Sequence, residues 1–363
     1  MTPSLTRPAP SPNERRRVAV LGATGAVGQT FVRLLENHPW FELAELAASE
    51  RSAGRPYGEA ARWVSAGHMP DRIANHTVLP CDPAKVSSDI VFSALDSSVA
   101  GEAELAFAKA GKVVLSNAKN HRMASDVPLV IAEVNPGHLA ILDAQRRNRG
   151  WKGAIVTNGN CSTIVTTLAL APIHERFGIT DAFVSTMQAV SGAGYPGVAS
   201  LDILGNVIPY ISDEEDKVES ELRKFLGSLG DGQIDPAPMT VSAHCNRVPV
   251  ENGHTVCVSI RLRERATADE VIGVLRAWTG ADVARGLPSS PDRPLHVADA
   301  PDRPQPRRDV GRGGGMTVTV GRVRTDSLFD IKLVAMGDNV VRGAAGASVL
   351  NAELMANCGL LPR

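Results

Sequence analysis

The sequence predicts an α/β protein of two domains: a doubly wound parallel sheet at the N-terminus, followed by a second, α+β domain. Three observations predict it. Short apolar runs alternate with helical patterns through the first half, a glycine-rich turn joins the first strand to the first helix, and the texture becomes β-rich after residue 161. The length of 363 residues exceeds the ~250–300 at which a single core stops growing, so two domains are expected.

Taken in order, residues 1–14 carry Pro3, Pro8, Pro10 and Pro12 among small and polar neighbours, and are expected to form a disordered tail. Residues 18–21 read as a strand, 22–28 as a glycine turn, 29–36 as a helix and 42–48 as a second strand. Apolar runs at 89–94, 112–116 and 153–157 continue the parallel sheet, and 162–170 reads as a helix. Valine-, threonine- and isoleucine-rich runs at 182–190, 255–262, 317–323 and 328–334 suggest a mixed sheet in the second domain. Residues 286–315 are rich in proline and glycine and read mainly as loop. The expected boundaries are 15–157 for the first domain and 158–337 for the second. Residues 338–363 return as a helix to the first; small residues 343–347 permit either tight packing on the sheet or a helix N-terminus lining a ligand site.

Lysine plus arginine number 38 and aspartate plus glutamate 39, a net charge of -1, so no global field recruits nucleic acid or a membrane surface. Small molecules are the expected partners. The five cysteines (Cys81, Cys161, Cys245, Cys257, Cys358) form no Cys-x-x-Cys pair or zinc-spaced cluster, which speaks against a disulfide framework or a metal and for a reducing cytoplasm. No apolar run approaches the ~20 residues that span a bilayer, and no hydrophobic signal core opens the chain.

The turn Gly22-Ala23-Thr24-Gly25-Ala26-Val27-Gly28 follows a strand and opens a helix, where glycines let backbone approach a pyrophosphate and the helix N-terminus receives its charge. A Rossmann-type dinucleotide site is expected there. Past the second strand, Ser49, Arg51 and Ser52 offer donors to a ribose 2′-phosphate, so NADP is the expected cofactor; Glu50 is the competing acceptor that would favour NAD.

In Asn158-Gly159-Asn160-Cys161-Ser162-Thr163, Cys161 stands between an expected strand and an expected helix, where free N–H groups and the helix dipole favour a thiolate. It is otherwise a small buried hydrophobe, as most free cysteines are. Beside a nicotinamide, such a thiolate would add to an aldehyde and leave a thioester after hydride departs, a step that needs a base. His254, on a loop shaped by Pro249 and Gly253, is the candidate, although loop histidines are often only hydrogen-bonding residues. Arg247 offers a bidentate fork to a carboxylate. Gln188 either bonds backbone or orients a substrate carbonyl or carboxylate. Glu214 and Lys217, three apart in a charged run, either belong to a solvated face or present an acceptor and a cation together.

Together these motifs resemble aspartate-semialdehyde dehydrogenase, in the branch found in archaea and fungi. The resemblance spans nearly the whole chain beyond the tail. It is carried by 22–28, 49–54, Phe92-Ser93-Ala94-Leu95, Ser116-Asn117-Ala118-Lys119-Asn120, Asn160-Cys161-Ser162-Thr163, Gln188, residues 247–254, Gly313-Gly314-Gly315-Met316 and Gly337-Asp338-Asn339, in family order. It implies Cys161 as nucleophile, His254 as acid/base, Arg247 for the substrate carboxylate, Gln188 as an orienting residue and Glu214 for the substrate ammonium. Lys217, Ser116 and Asn117 would bind phosphate, and Ser93, Ala94, Leu95, Gly192 and Asn339 would join the glycine loop at the cofactor. The implied reaction interconverts L-aspartyl 4-phosphate and L-aspartate 4-semialdehyde with NADP(H), on the route to lysine, threonine and methionine. The implied assembly is a homodimer or homotetramer built on the second sheet. Gly159 and Val165 depart from the family, where proline and glycine are common. Three other readings compete: a malonyl-CoA reductase-like enzyme, an N-acetylglutamyl-phosphate reductase and a nonenzymatic NADP-binding redox regulator.

Overall fold

The computed structural model describes residues 15–65 and 67–362, so the expected tail at 1–14 lies outside the described residues. Strands β1 (Arg16–Leu21), β2 (Phe41–Ala48), β3 (Leu79–Pro80), β4 (Ile90–Ser93), β5 (Val113–Ser116) and β6 (Ala154–Thr157) form one sheet in the order β3-β2-β1-β4-β5-β6. Every pairing in it is parallel. Strands β4, β5 and β6 are buried along their whole length, because helices cover both faces; that is why they read as unbroken apolar runs.

The second sheet is mixed. Short β8 (Ser228–Leu229) and β9 (Ile234–Asp235) form a separate pair, while β10 (Thr240–Arg247), β7 (Ile179–Gln188), β11 (His254–Leu262), β14 (Ile331–Gly337), β13 (Val318–Thr325) and β12 (Leu295–Val297) follow one another across the sheet. Burial alternates along β7, so one face packs on the core. Two elements depart from the sequence reading. β10 carries His244, Asn246 and Arg247 in an edge strand with alternating burial, too polar to register as an apolar run. The segment read mainly as loop contributes β12, which Leu295 anchors in the core beside β13.

The helix Cys161–Phe177 runs one and a half turns or more past its expected end, through Pro172, to Gly178 at φ 68. Its residues from Ser162 to Ile173 are all buried, so packing on every side replaces the amphipathic signal and outweighs the bond lost at proline. The C-terminal helix Gly346–Asn357 packs on the first sheet: Val349, Leu350, Leu354 and Met355 share a core with Val18, Val20, Phe92, Leu115 and Val156.

Candidate active site

Cys161, just past the carboxyl end of β6, shares its surroundings with Arg247 and Glu214. In the second sheet Gln188 closes β7 opposite Arg247 closing β10, and His254 opens the neighbouring β11. A crevice beyond the carboxyl ends of parallel strands is where such folds place ligands.

The glycine turn fits a pyrophosphate. A β-carbon on Gly22, at φ 72, would lie 2.5 Å from the Ala94 carbonyl oxygen, and one on Gly28 would lie 2.2 Å from the Gly22 carbonyl oxygen, so both must be glycine for the turn to close on β4. The helix Ala26–Leu35 that follows has no side-chain cap and no acid in its first turn, leaving its N–H groups for an anion. The buried Tyr57 hydroxyl donates to the Ala23 carbonyl at 2.8 Å, and buried Gln29 donates to Thr24 at 3.0 Å and to Arg62 at 2.8 Å. Sequence reasoning missed both of these braces, since neither belongs to a glycine motif. Ser49 and Arg51 are exposed and Ser52 is nearly buried in the turn after β2. Glu50 is exposed in the same turn. Ser93 is buried at the end of β4, with half-buried Ala94 and Leu95 after it.

Cys161 is the first residue of its helix and is half-buried. Asn160 caps the helix, its Oδ1 accepting the N–H groups of Ser162 at 3.0 Å and Thr163 at 3.1 Å. Gly343, in a π-helical turn Val341–Ala345, presses on the cysteine: a β-carbon there would lie 2.5 Å from Cys161 Cβ. The same turn packs against the helix Ala26–Leu35, so the cysteine and the dinucleotide helix share a neighbour. Buried Arg342 holds the turn through two bonds of 2.7 Å to Glu133.

The expectation of a resting thiolate is corrected here. Burial, and then the Glu214 carboxylate, push the Cys161 thiol up to about 12 against the pull of Arg122, the Ser162 N–H and Arg247. Desolvation outweighs the helix dipole. Burial and then Arg247 press the His254 imidazole down to about 3, so it too is neutral. Its Nδ1 accepts the Ala189 N–H at 3.0 Å, which puts the ring proton on Nε2, a buried atom with no hydrogen-bond partner among the described residues. Gly192 lies against both groups: a β-carbon there would be 2.9 Å from Arg247 Nη1 and 3.0 Å from His254 Nε2. Arg247 donates through Nη1 to the Ala189 carbonyl at 2.8 Å.

Glu214 opens the helix Glu214–Phe225 and is buried. Its Oε1 accepts Asn160 Nδ2 and Gln188 Nε2, each at 2.7 Å, and its Oε2 accepts Lys217 Nζ at 3.2 Å. Burial raises its carboxyl, but Lys217 and these amide donors outweigh that and hold it below the usual carboxylate range. Lys217 is partly exposed.

Four other expected site residues have side chains bonded within the protein. Gln188 is buried with its amide donating to Glu214 and accepting from Thr186, so it orients the Glu214 carboxylate. The Ser116 hydroxyl, fully buried, donates to Glu104 at 2.7 Å. Asn117 is occupied at both ends, donating to the Ser93 carbonyl and accepting from Asn158 and Ser348. Asn339 is buried, its Oδ1 accepting the Gly253 N–H and its Nδ2 donating to Ser191, so its side chain ties the loops at 191 and 253 together. A groove of about 860 Å³ lined by Ala171, Arg176, Trp278 and Glu133 lies behind the cysteine helix and includes none of the expected site residues.

A glycine-gripped dinucleotide turn, joined through the turn Val341–Ala345 to a cysteine with an imidazole and a guanidinium near it, defines an oxidoreductase of the semialdehyde dehydrogenase class. Two family models agree: the semialdehyde dehydrogenase NAD-binding domain matches residues 17–142, and its dimerisation domain matches residues 170–342. The chain belongs to the aspartate-semialdehyde dehydrogenase family. It is 51% identical over 341 residues to the aspartate-semialdehyde dehydrogenase of Archaeoglobus fulgidus, covering 94% of this chain and 98% of that one. It is 47% identical to the Schizosaccharomyces pombe protein of that name, covering 95% and 99%. The crystal structure of the Candida albicans aspartate-semialdehyde dehydrogenase with NADP superposes with a TM-score of 0.89 at 43% identity, covering 96% of this chain and all of that one. No helix among the described residues is long and apolar enough to cross a membrane.

Proposed function

We propose that this chain interconverts L-aspartyl 4-phosphate and L-aspartate 4-semialdehyde with NADP(H), through a thioester on Cys161. The observation that carries the reading is that Cys161, the unpartnered His254 Nε2–H, Arg247 and the Lys217–Glu214 pair share one neighbourhood, and that the turn Val341–Ala345 beside the cysteine also packs on the dinucleotide helix. In the biosynthetic direction Cys161 Sγ bonds the acyl carbon, and phosphate leaves with the electrons of the broken C–O bond and takes up the thiol proton. When bound, the nicotinamide supplies the hydride that takes the thioester to the aldehyde level. Arg247 holds the substrate carboxylate, Glu214 receives its ammonium and partly exposed Lys217 attracts phosphate. The carboxylate also offsets the Arg247 charge that depresses His254, so substrate makes the imidazole more basic as it arrives. With its proton on Nε2, His254 donates to oxygen as charge develops there.

A malonyl thioester has no ammonium to meet an ionised, buried Glu214, which favours the aspartyl substrate over a CoA-linked one. A homodimer or homotetramer fits the dimerisation-domain match, and a cytoplasmic location fits five cysteines without a disulfide framework. The testing experiment is spectrophotometric: L-aspartate 4-semialdehyde, phosphate and NADP should produce NADPH absorbance, and omission of phosphate should abolish it. Dependence on CoA in place of phosphate would reject the reading.

Two substitutions probe the assigned contacts. Arg247→Lys turns a fork into a point charge, and KM for the semialdehyde is expected to rise ~10-fold or more with kcat less affected; unchanged kinetics would remove the carboxylate role. Arg51→Ala is expected to lower kcat/KM for NADP by ~10–100-fold, the worth of a charged hydrogen bond, and to leave NAD nearly unchanged. Equal losses with both cofactors would place Arg51 elsewhere than at the 2′-phosphate.

A further inference from the structure

The helix Glu214–Phe225 grips the nucleophile's loop at a second point. Glu221, 1% exposed, accepts the backbone N–H of Asn160 through Oε2 at 2.6 Å and Arg122 Nη1 through Oε1 at 2.9 Å. Arg122, itself buried, donates through Nη2 to the Asn117 carbonyl at 2.6 Å. One turn on, buried Lys224 fixes the segment around Arg122 by donating to the carbonyls of Arg122, Ala124 and Val127 at 2.6, 2.7 and 2.8 Å. Gly159 makes the approach possible: a β-carbon there would lie 2.4 Å from Phe225 Cζ and 3.2 Å from Glu221 Oε2. This is the structural consequence of one of the two departures in the cysteine motif, since the bare backbone admits both the ring and the carboxylate.

We propose that Glu221 and Arg122 are a positioning pair for Cys161, fixing the Asn160 peptide on which the sulfur depends and balancing each other's charge beside it. The proposal rests on Cys161 being the nucleophile. Glu221 acts through the Asn160 N–H that it accepts, and Arg122 acts by holding Glu221 and by its own charge near the sulfur. A buried carboxylate one residue from the sulfur would oppose thiolate formation if left alone, and Arg122 cancels it. The other groups acting on the sulfur are Glu214 from the same helix, Arg247 from the second sheet and the Ser162 N–H from the cysteine's own helix; Lys217 pairs with Glu214, and His254 lies near Arg247 and Glu214. Glu214 is held by Lys217 and two amides, so it does not stand in for Glu221 at the Asn160 N–H.

The test is the pH dependence of Cys161 alkylation by iodoacetamide, followed by peptide mass on the resting full-length protein, alongside steady-state kinetics. Glu221→Gln should move the alkylation midpoint to lower pH, Arg122→Met should move it to higher pH, and the double variant should return towards wild type. Each single change should lower kcat ~10-fold or more, with KM for the semialdehyde little changed. Should Arg122→Met fail to fold, Arg122→Lys keeps the charge and loses one bond, and should keep the wild-type midpoint with a reduced kcat. Singles that shift the midpoint the same way or not at all, or an Arg122→Lys variant with wild-type kcat, would overturn the pairing. Alkylation needs no turnover, so a protein inactive on the semialdehyde would reject the proposed reaction while the pairing is still read.

Discussion

Replacing Cys161 by serine is expected to lower turnover of L-aspartate 4-semialdehyde by at least ~10³ while leaving the fold in place. A serine hydroxyl is far harder to ionise than a thiol, and this site already resists charge, with burial pushing even the thiol up to about 12. General-base assistance supplies only ~10²–10⁴, and His254 begins neutral with its proton on the nitrogen that points away from Ala189. The substitution exchanges one atom for a smaller one at a half-buried helix N-terminus whose cap is provided by Asn160, so the helix is retained. The melting temperature should move by no more than ~3 °C, which thermal unfolding by circular dichroism would read. Turnover within tenfold of wild type would show that the sulfur does not carry the reaction.

Gly343→Ala is expected to cost ~10²-fold in kcat, without any new chemistry, because its methyl group has nowhere to go. The added carbon would lie 2.5 Å from Cys161 Cβ and 3.0 Å from its Cα, nearer than side-chain carbons approach. Either the cysteine or the π-helical turn must give way. The cysteine heads a helix buried on every side, and the turn is anchored by the paired bonds of Arg342 to Glu133 at 2.7 Å. A displacement shared between two such rigid elements moves the sulfur by a fraction of an ångström to ~1 Å, enough to spoil attack geometry. Gly137→Ala, where a β-carbon meets nothing within 4 Å, is the control and should retain activity. A Gly343→Ala enzyme with wild-type kcat would mean that the turn does not position the nucleophile.

The glycine turn, the cysteine loop and the ends of β7 and β11 were legible in the sequence because each couples an unusual composition to a change of periodicity. The rest depends on distance in the chain. Arg122 and Glu221 are 99 residues apart, and Arg342 and Glu133 are 209 apart, so charges that would pass for solvated faces form buried pairs. Ser116 shows the converse. Its place in a family motif suggests a phosphate contact, and nothing in the sequence shows that, as the last residue of a buried strand, it bonds Glu104 through its hydroxyl. Gln188 and Asn339 were found as site residues, but their amides serve Glu214, Ser191 and Gly253, which no spacing rule reveals. Gly159 and Val165 acquire reasons only in three dimensions. The first makes room for Phe225 and Glu221, and the second fills the space a side chain on Gly337 would otherwise occupy, 2.8 Å from Val165 Cγ2.

The central claim is that Cys161 takes the aspartyl group from phosphate before any reduction occurs. Mass spectrometry of the protein mixed with L-aspartyl 4-phosphate, with NADPH withheld, tests it most directly. The expected result is an aspartyl adduct on the peptide containing Cys161, absent from Cys161→Ser and discharged as aldehyde when NADPH is added. An unmodified Cys161 in a protein that nonetheless turns over with both substrates present would contradict it.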